Sequence, residues 1–441
     1  MKAVQKSAHF LGIGGIGISG LALWYKNLGW RVTGSDIAES PVIDMLRRFG
    51  VDPEIGDEQF VNIPDGVNLI IHTQAIDRNR IVNPETRRPD SPAVLVKSYP
   101  EALGELSKNK FTIAVCGSHG KSTTTAMAGL FMIDAGLNPT VLVGTMLREF
   151  SNSNFRFGSS KYLVIEADEF RGAFLNYFPD IVIWTNVVKE HLDYFKDLAD
   201  AIGHFRTFIK HVPKDGFIIA NRDDRNIRQV LRGAENAVFY SLRDLEADYI
   251  RKRIKIPGEH NISNSLAIIK LARLLHMPDE TAYDSISNYH GSWRRFEYKG
   301  KINGAEVYDD YAHHPTEIKA TLRGARDKFK KKKIWAVFQP HQFERTKLLF
   351  KEFAGAFKDV DKVIMLDIYG VKGREGKSIK EEISSEKLIK AIAKTGKEAI
   401  YKSNFSEAAE FINKNAGAKD VVIIMGAGSV WQIFKFLKVQ L

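Results

Sequence analysis

The residues best equipped for chemistry are Gly117-Ser118-His119-Gly120-Lys121-Ser122-Thr123-Thr124-Thr125, set between the apolar run Phe111–Cys116 and a helical pattern. Strand, glycine loop and helix in that order are what a phosphate-binding loop requires. Backbone N–H groups cradle the phosphates, Lys121 neutralises β/γ oxygens and the Ser122 hydroxyl reaches Mg²⁺. Only two residues separate Gly117 from Gly120, so the spacing departs from the common Walker pattern. The expected ligand is ATP or GTP, contacted by Gly117, Ser118, His119, Gly120, Lys121, Ser122 and Thr123.

A second glycine cluster, Gly12, Gly14, Gly15, Gly17 and Gly20, follows another apolar run and opens another helical pattern. Glycines there let the chain turn tightly and approach a pyrophosphate held at a helix N-terminus. Asp36 stands about where a dinucleotide-binding unit places its ribose carboxylate. Alone, this cluster fits NAD and a dehydrogenase as well as UDP, which carries the same pyrophosphate and ribose. A dehydrogenase has no need of the Lys121 loop, and a plain ATPase has no need of the Gly12 loop. An enzyme that spends ATP on a nucleotide-linked substrate needs both.

Acidic and imidazole groups follow at suitable places. Glu166-Ala167-Asp168-Glu169 comes directly after the strand-like Tyr162–Ile165, and Asn186…Glu190-His191 after the strand-like Ile181–Thr185. Carboxylate and imidazole groups at the carboxyl ends of neighbouring strands could hold Mg²⁺ on ATP oxygens. An acidic helix start and a surface histidine are the blander explanation.

The elements that must position these groups read as α/β throughout. Short apolar runs (His9–Ile13, Val32–Gly34, Leu69–Thr73, Val94–Val96) alternate with helical stretches in a first segment, residues 1–109. A second segment, 110–296, carries Phe111–Cys116, Tyr162–Ile165, Ile181–Thr185 and Gly216–Ala220. A third, 297–441, carries Ile334–Phe338, Lys362–Leu366, Glu398–Tyr401 and Val421–Met425. The expectation is three α/β domains: a Rossmann-like one, a central phosphate-loop one and a C-terminal Rossmann-like one.

Composition narrows the class. The lone cysteine, Cys116, excludes an internal disulfide framework and a cysteine-rich zinc site. It reads either as a small buried strand residue or as a catalytic thiol. The formal charge of +11 invites nucleic acid. The excess is diffuse, however, and its one run, Lys328–Lys333, is expected to be a solvated helix end; no nucleic-acid partner is expected. Apolar runs of membrane-spanning length are missing and Met1–Ala8 is short and polar, so the expected location is the cytoplasm, off the membrane.

At these motifs the chain resembles the Mur ligases. Gly117–Thr125 resembles their ATP loop, and Glu166 with His191 their magnesium-binding pair. Pro257-Gly258-Glu259-His260-Asn261…Asn264 is similar to their element near the adenine, and Arg294-Arg295-Phe296-Glu297 to the motif whose Arg295 meets the γ-phosphate. Asp309-Asp310-Tyr311-Ala312-His313-His314-Pro315-Thr316-Glu317 is similar to the third-domain motif, which implies ATP contacts from Asp310, Tyr311 and His314. His9–Gly20 resembles the UDP-sugar loop of the alanine-adding members. Phe338-Gln339-Pro340-His341 with Arg345-Thr346 resembles their amino-acid side, and Gly426–Val430 their terminal glycine turn. UDP-sugar contacts are thereby implied for Gly12, Gly14, Gly15, Gly17, Ser19, Gly20, Asp36 and Thr73. Departures are Gln342 where those members usually carry arginine, and His72-Thr73-Gln74-Ala75-Ile76 in place of Ser-Ser-Ala-Ile. Tyr369–Ile379 is longer and more basic than theirs. Arg206 is nearest in register to a lysine that is carbamylated in several relatives, so that modification is not expected.

The resemblance implies a ligase acting on UDP-N-acetylmuramate and L-alanine with ATP and Mg²⁺, as a monomer or homodimer. The lactyl carboxylate would attack the γ-phosphate to give an acyl phosphate and ADP. The amine would then attack the acyl carbon and expel phosphate. Lys121, Arg295 and Mg²⁺ would neutralise the like charges that meet; Ser122, Glu166 and His191 would hold the metal; His341 and Arg345 would orient the amino acid. The alternatives are a family member that attaches an intact tripeptide to the same sugar, a dehydrogenase, a nucleic-acid-dependent ATPase, and a non-catalytic nucleotide-binding scaffold.

Overall fold

The structure, a computed structural model, describes residues 5–56, 63–81, 94–188, 194–370 and 379–440. The chain divides into two compact units, Met1–Arg253 with Ser263–Ser287, and Ile254–Ile262 with Asn288–Leu441. The first unit contains two sheets and the second unit one, giving a three-domain α/β protein.

In the first sheet, β1 (Ser7–Leu11), β2 (Arg31–Asp36), β3 (Glu54–Ile55), β4 (Leu69–His72) and β5 (Leu95–Ser98) lie parallel in the order β3-β2-β1-β4-β5. The chain winds from β1 towards β3, then crosses to build the other side from β4. That reversal opens a crevice at the carboxyl ends of β1 and β4, where open α/β sheets bind ligands. The Gly12 loop leaves β1 and Thr73 leaves β4, so both line it.

The second sheet comprises β6 (Phe111–Cys116), β7 (Thr140–Leu147), β8 (Ser153–Arg156), β9 (Tyr162–Glu166), β10 (Ile181–Trp184), β11 (Phe217–Asn221) and β12 (Ala237–Tyr240), ordered β12-β11-β10-β6-β9-β7-β8. The phosphate-loop strand β6 sits between β10 and β9, parallel to both. Ile113, Ala114, Val115 and Cys116 are fully buried. A strand covered on both faces reads as one continuous apolar run, and burying each large side chain contributes about 1.5–3 kcal/mol.

The third sheet comprises β13 (Glu297–Ile302), β14 (Ala305–Asp310), β15 (Lys333–Phe338), β16 (Lys362–Met365), β17 (Glu398–Tyr401) and β18 (Asp420–Met425), ordered β13-β14-β18-β15-β16-β17. Only β13 runs antiparallel to its neighbour. Successive side chains leave a strand on opposite faces. Ile334, Ala336 and Phe338 of β15 therefore enter one core with Ile423 and Met425, while Trp335 and Val337 enter the other with Val422 and Ile424. The helix Pro315–Lys328 is closed at its start by the His314 ring and Glu317, which cap each other's backbone N–H groups. It ends inside the lysine run, as expected. Lys332 is not purely solvated, because its Nζ reaches Glu306 Oε1 at 2.6 Å.

Candidate active site

In the first unit the strand order brings the phosphate loop and its partners together. Gly117 and Gly120 both lie at positive φ, +129° and +85°. A Cβ on Gly117 would sit 2.2 Å from Thr185 Oγ1, and one on Gly120 2.8 Å from Asn264 Oδ1. Glycine is required at both by backbone conformation and by space. Residues following β10 hold the loop. The Asn186 carbonyl accepts from Ser118 N (3.0 Å), its Oδ1 accepts from His119 N (2.9 Å), and Thr185 Oγ1 donates to the His119 carbonyl (2.7 Å).

Lys121, Ser122 and Thr123 occupy the first turn of the helix Lys121–Asp134, whose N-cap is Gly120. Lys121 Nζ donates to the carbonyls of Gly117 (2.8 Å) and Ser118 (3.2 Å) and to Glu169 Oε2 (2.8 Å). Ser122 Oγ donates to Glu166 Oε1 at 3.1 Å, and Gly144 N donates to the other Glu166 oxygen at 2.8 Å. Lys121, Ser122, Glu166 and Asn264 are thus assembled around one helix N-terminus. His191 lies outside the described residues. Glu169 and Asn186 stand in the clusters quoted from the sequence without a role of their own there, and Thr185 closes the strand-like run before the second cluster. Their signal was positional: each follows the last residue of β9 or β10 closely, at the strand ends flanking β6.

Cys116 closes β6, fully buried. Burial, with Glu169 nearby, pushes its thiol well above the ordinary range despite the opposing Lys121. A protonated, buried thiol is a core residue.

The first glycine cluster divides into two roles. Gly12, at φ +72°, leaves space that the Thr73 methyl fills, since a Cβ would lie 2.5 Å from Thr73 Cγ2. Gly14 N donates to Asp36 Oδ2 at 2.8 Å, and Ile37 N to Asp36 Oδ1 at 2.8 Å. Asp36 therefore clamps the loop it was expected to accompany. Gly15 caps the helix Ile16–Asn27. Gly17 and Gly20 lie within that helix, against the Tyr99 ring and Asn154. Ser19 is buried beside them, donating to the Ile16 carbonyl and accepting from Asn154 Nδ2 at 3.1 Å. Ser19 and Gly20 pack the first sheet's leading helix against Asn154 of the second sheet, and Gly17 packs it against the helix that begins at Tyr99.

In the second unit, Asp310, Gly426, Gln339 and Tyr369 leave the carboxyl ends of β14, β18, β15 and β16, four adjacent parallel strands. Arg295 lies over the Tyr311 ring, 4.9 Å from its centroid. The Tyr311 and His313 rings meet edge to face at 5.4 Å, the His313 and His341 rings lie 6.1 Å apart, and His341 stacks on Tyr369 at 5.4 Å. Arg345 Nη1 is 3.4 Å from His341 Nδ1. Arg295, Tyr311, His341 and Arg345 are thus brought together, with His313 and Tyr369 added. Gln342 adopts φ 71°, ψ 129°, an unusual backbone for a residue with a side chain. Its N–H donates to the Tyr369 carbonyl at 2.8 Å.

The remaining second-unit residues face inward. The Asp310 carboxylate accepts from Phe296 N (2.8 Å), Ala312 N (2.9 Å) and Thr321 Oγ1 (3.2 Å). Burial raises its pKa. The His314 ring accepts from Thr316 N at 3.3 Å, as the helix cap. Asn261 Nδ2 donates to the Pro257 carbonyl at 2.6 Å. Arg294 is buried, ion-paired with Asp309 at 3.4 Å and donating to the Gly426 carbonyl. Burial lifts the Asp309 carboxyl to about 6, against the opposing pull of Arg294.

A phosphate loop on a central parallel strand, a glycine crevice at a second parallel sheet and a third α/β domain carrying cationic and imidazole groups define a nucleotide-dependent α/β enzyme. Three family models match in chain order: Mur ligase family, catalytic domain, over residues 7–111; Mur ligase middle domain over 115–255; and Mur ligase, glutamate ligase domain, over 294–428. The chain belongs to the Mur ligase family. It is 38% identical to the UDP-N-acetylmuramate–L-alanine ligase of Acetivibrio thermocellus, over 98% of this chain and 96% of that one. The enzyme of the same name from Clostridium perfringens is 37% identical over 99% of each chain. The crystal structure of UDP-N-acetylmuramate–alanine ligase from Thermotoga maritima superposes with a TM-score of 0.80 at 25% identity, over 98% of each chain. No helix among the described residues is long and apolar enough to cross a membrane.

Proposed function

We propose that this chain is an ATP-dependent, ADP-forming ligase that joins the lactyl carboxylate of UDP-N-acetylmuramate to the amine of L-alanine, in the cytoplasm. The observation that carries this is the likeness, over 98% of the chain, to an enzyme named for that reaction. The tripeptide-adding alternative is not favoured. We divide the domains at 109/110 and 296/297.

The residues of the first unit suit the two nucleotides. Lys121, on the phosphate loop, is the cation that would meet the β/γ oxygens of ATP, and the Gly12–Gly15 loop with Thr73 would receive the UDP pyrophosphate. Ser122 and Glu166 oxygens 3.1 Å apart at a helix N-terminus form a hard-oxygen donor set that fits Mg²⁺; His191 would complete it. Bound there, the ion would offset charge on the phosphates. Lys121 and Arg295 would stabilise the charge that builds as the sugar's carboxylate oxygen bonds to the γ-phosphorus and the bond to ADP breaks. The alanine nitrogen then bonds to the acyl carbon, loses a proton and displaces phosphate. His341 and Arg345 are placed together to orient that amino acid.

The test is phosphate release from ATP and Mg²⁺ with UDP-N-acetylmuramate, adding L-alanine or the tripeptide in turn. Release is expected only with sugar and L-alanine together, and it should fall by roughly 100-fold or more in Lys121→Ala. Release with the tripeptide alone would overturn the choice of substrate.

A further inference from the structure

Arg171 carries a feature that the reaction above leaves unused. It follows β9 and the Glu166–Glu169 carboxylates, in the short helical turn Phe170–Asn176. Its backbone is left-handed, at φ 51° and ψ 29°, and is followed by Gly172 at φ 66°. A side-chain-bearing residue is strained in that region. The two left-handed residues bend the chain back, and Gly172 N closes the bend on the Glu169 carbonyl at 3.0 Å.

The consequence is a contact between the two sheets of the first unit. Arg171 Nη1 donates to the Gln74 carbonyl at 2.6 Å, and the guanidinium carbon lies 5.4 Å from the Phe170 ring centroid. Gln74 directly follows Thr73, the residue that fills the space above Gly12. Two residues before Arg171, Glu169 holds Lys121. Arg171 is exposed, and with Nη1 on Gln74 the Nε–Nη2 edge faces outward from that bond. That edge matches the two oxygens of a carboxylate side-on.

The local charge gives this cation a purpose. The end of β9 presents Glu166, Asp168 and Glu169 beside Lys121, and Lys121 lies 3.7 Å from Asp168 as well as 2.8 Å from Glu169. For a substrate carboxylate brought to Lys121, these three carboxylates are like charges close by. A cation on the sugar side offsets that repulsion and orients the attacking oxygen. We propose that Arg171 is a specificity residue that binds the lactyl carboxylate of the UDP-sugar, distinguishing acid-bearing sugars from neutral ones. This rests on the function proposed above.

The test compares binding of UDP-N-acetylmuramate with UDP-N-acetylglucosamine, which lacks the lactyl acid, by calorimetry on the full chain. Wild type is expected to prefer the acid. Arg171→Gln should weaken UDP-N-acetylmuramate roughly 10- to 100-fold, the range of one charge-assisted hydrogen bond, with UDP-N-acetylglucosamine unchanged. Arg171→Lys should keep part of the preference, which also controls for a folding defect. Equal weakening of both sugars in both variants would make Arg171 a loop tether and overturn the proposal, as would no change in either. A wild type with no preference for the acid would instead sink the functional reading beneath it.

Discussion

Lys121 Nζ lies 2.8 Å from Glu169 Oε2, with the two side chains only 10% and 2% exposed. The ammonium has three protons, and the Gly117 and Ser118 carbonyls accept the others. The loop thus holds its own cation in place before a phosphate arrives. Removing one partner of a buried pair leaves an uncompensated charge. Glu169→Ala should lose about 3–5 kcal/mol of stability, and Glu169→Gln, which keeps a carbonyl acceptor, clearly less. Urea unfolding of both variants measures this; equal and small losses would show the pair to be peripheral.

Asp36 and Gly14 make a second prediction. The carboxylate takes the Gly14 N–H at 2.8 Å, and a Cβ on Gly14 would lie 2.8 Å from the same oxygen. Gly14→Ala must push Asp36 aside or shift the loop. The expected result is a raised KM for the UDP-sugar with the KM for ATP unchanged, since the phosphate loop follows a different strand. Steady-state kinetics varying each substrate separately would decide it; a parallel rise in both would mean a wider structural defect.

The central strands were legible because parallel strands buried on both faces are apolar runs, as in Ile113–Cys116 and Val421–Met425. What the sequence hid included the two antiparallel edges. Glu297–Ile302 alternates charged residues with a glycine and carries a bulge between Tyr298 and Gly300. Ser153–Arg156, antiparallel at the other sheet's edge, likewise lacks an apolar run. The phosphate loop was legible because its glycines and lysine are adjacent in the chain. Glu169 and Tyr369 were not, because their roles arise only when neighbouring strand ends meet. Ser19, Gly17 and Gly20 were read with the sugar loop, whereas their helical positions place them on Tyr99 and Asn154.

Tyr369 stacks on His341 at 5.4 Å, with the rings 13° apart, and its backbone holds Gln342. A side chain that fixes a ring's orientation fixes what that ring contacts. Tyr369→Ala should therefore raise the KM for L-alanine roughly 10-fold, the effect of losing about 1.4 kcal/mol of stacking and positioning. Tyr369→Phe retains the ring and should behave as wild type. If both variants lose activity alike, the hydroxyl rather than the stack is what matters.

The buried pair Arg294–Asp309 predicts a pH dependence. Burial raises the Asp309 carboxyl from its ordinary 3.8 to about 6. Between those values the folded state holds a proton that the unfolded state has released, so stability falls as pH rises. The sign is the reverse of that for a carboxylate stabilised by its partner: Asp309 contributes most below about 4, and the contribution is lost as pH passes 6. The span is about two pH units, or roughly 3 kcal/mol. Asp309→Asn does not titrate, so its stability relative to wild type should improve steadily from pH 4 to 7. Chemical unfolding of both proteins at several pH values measures the difference. A constant difference across that range would show that Asp309 stays ionised beside Arg294, and that the ion pair outweighs the cost of burying it.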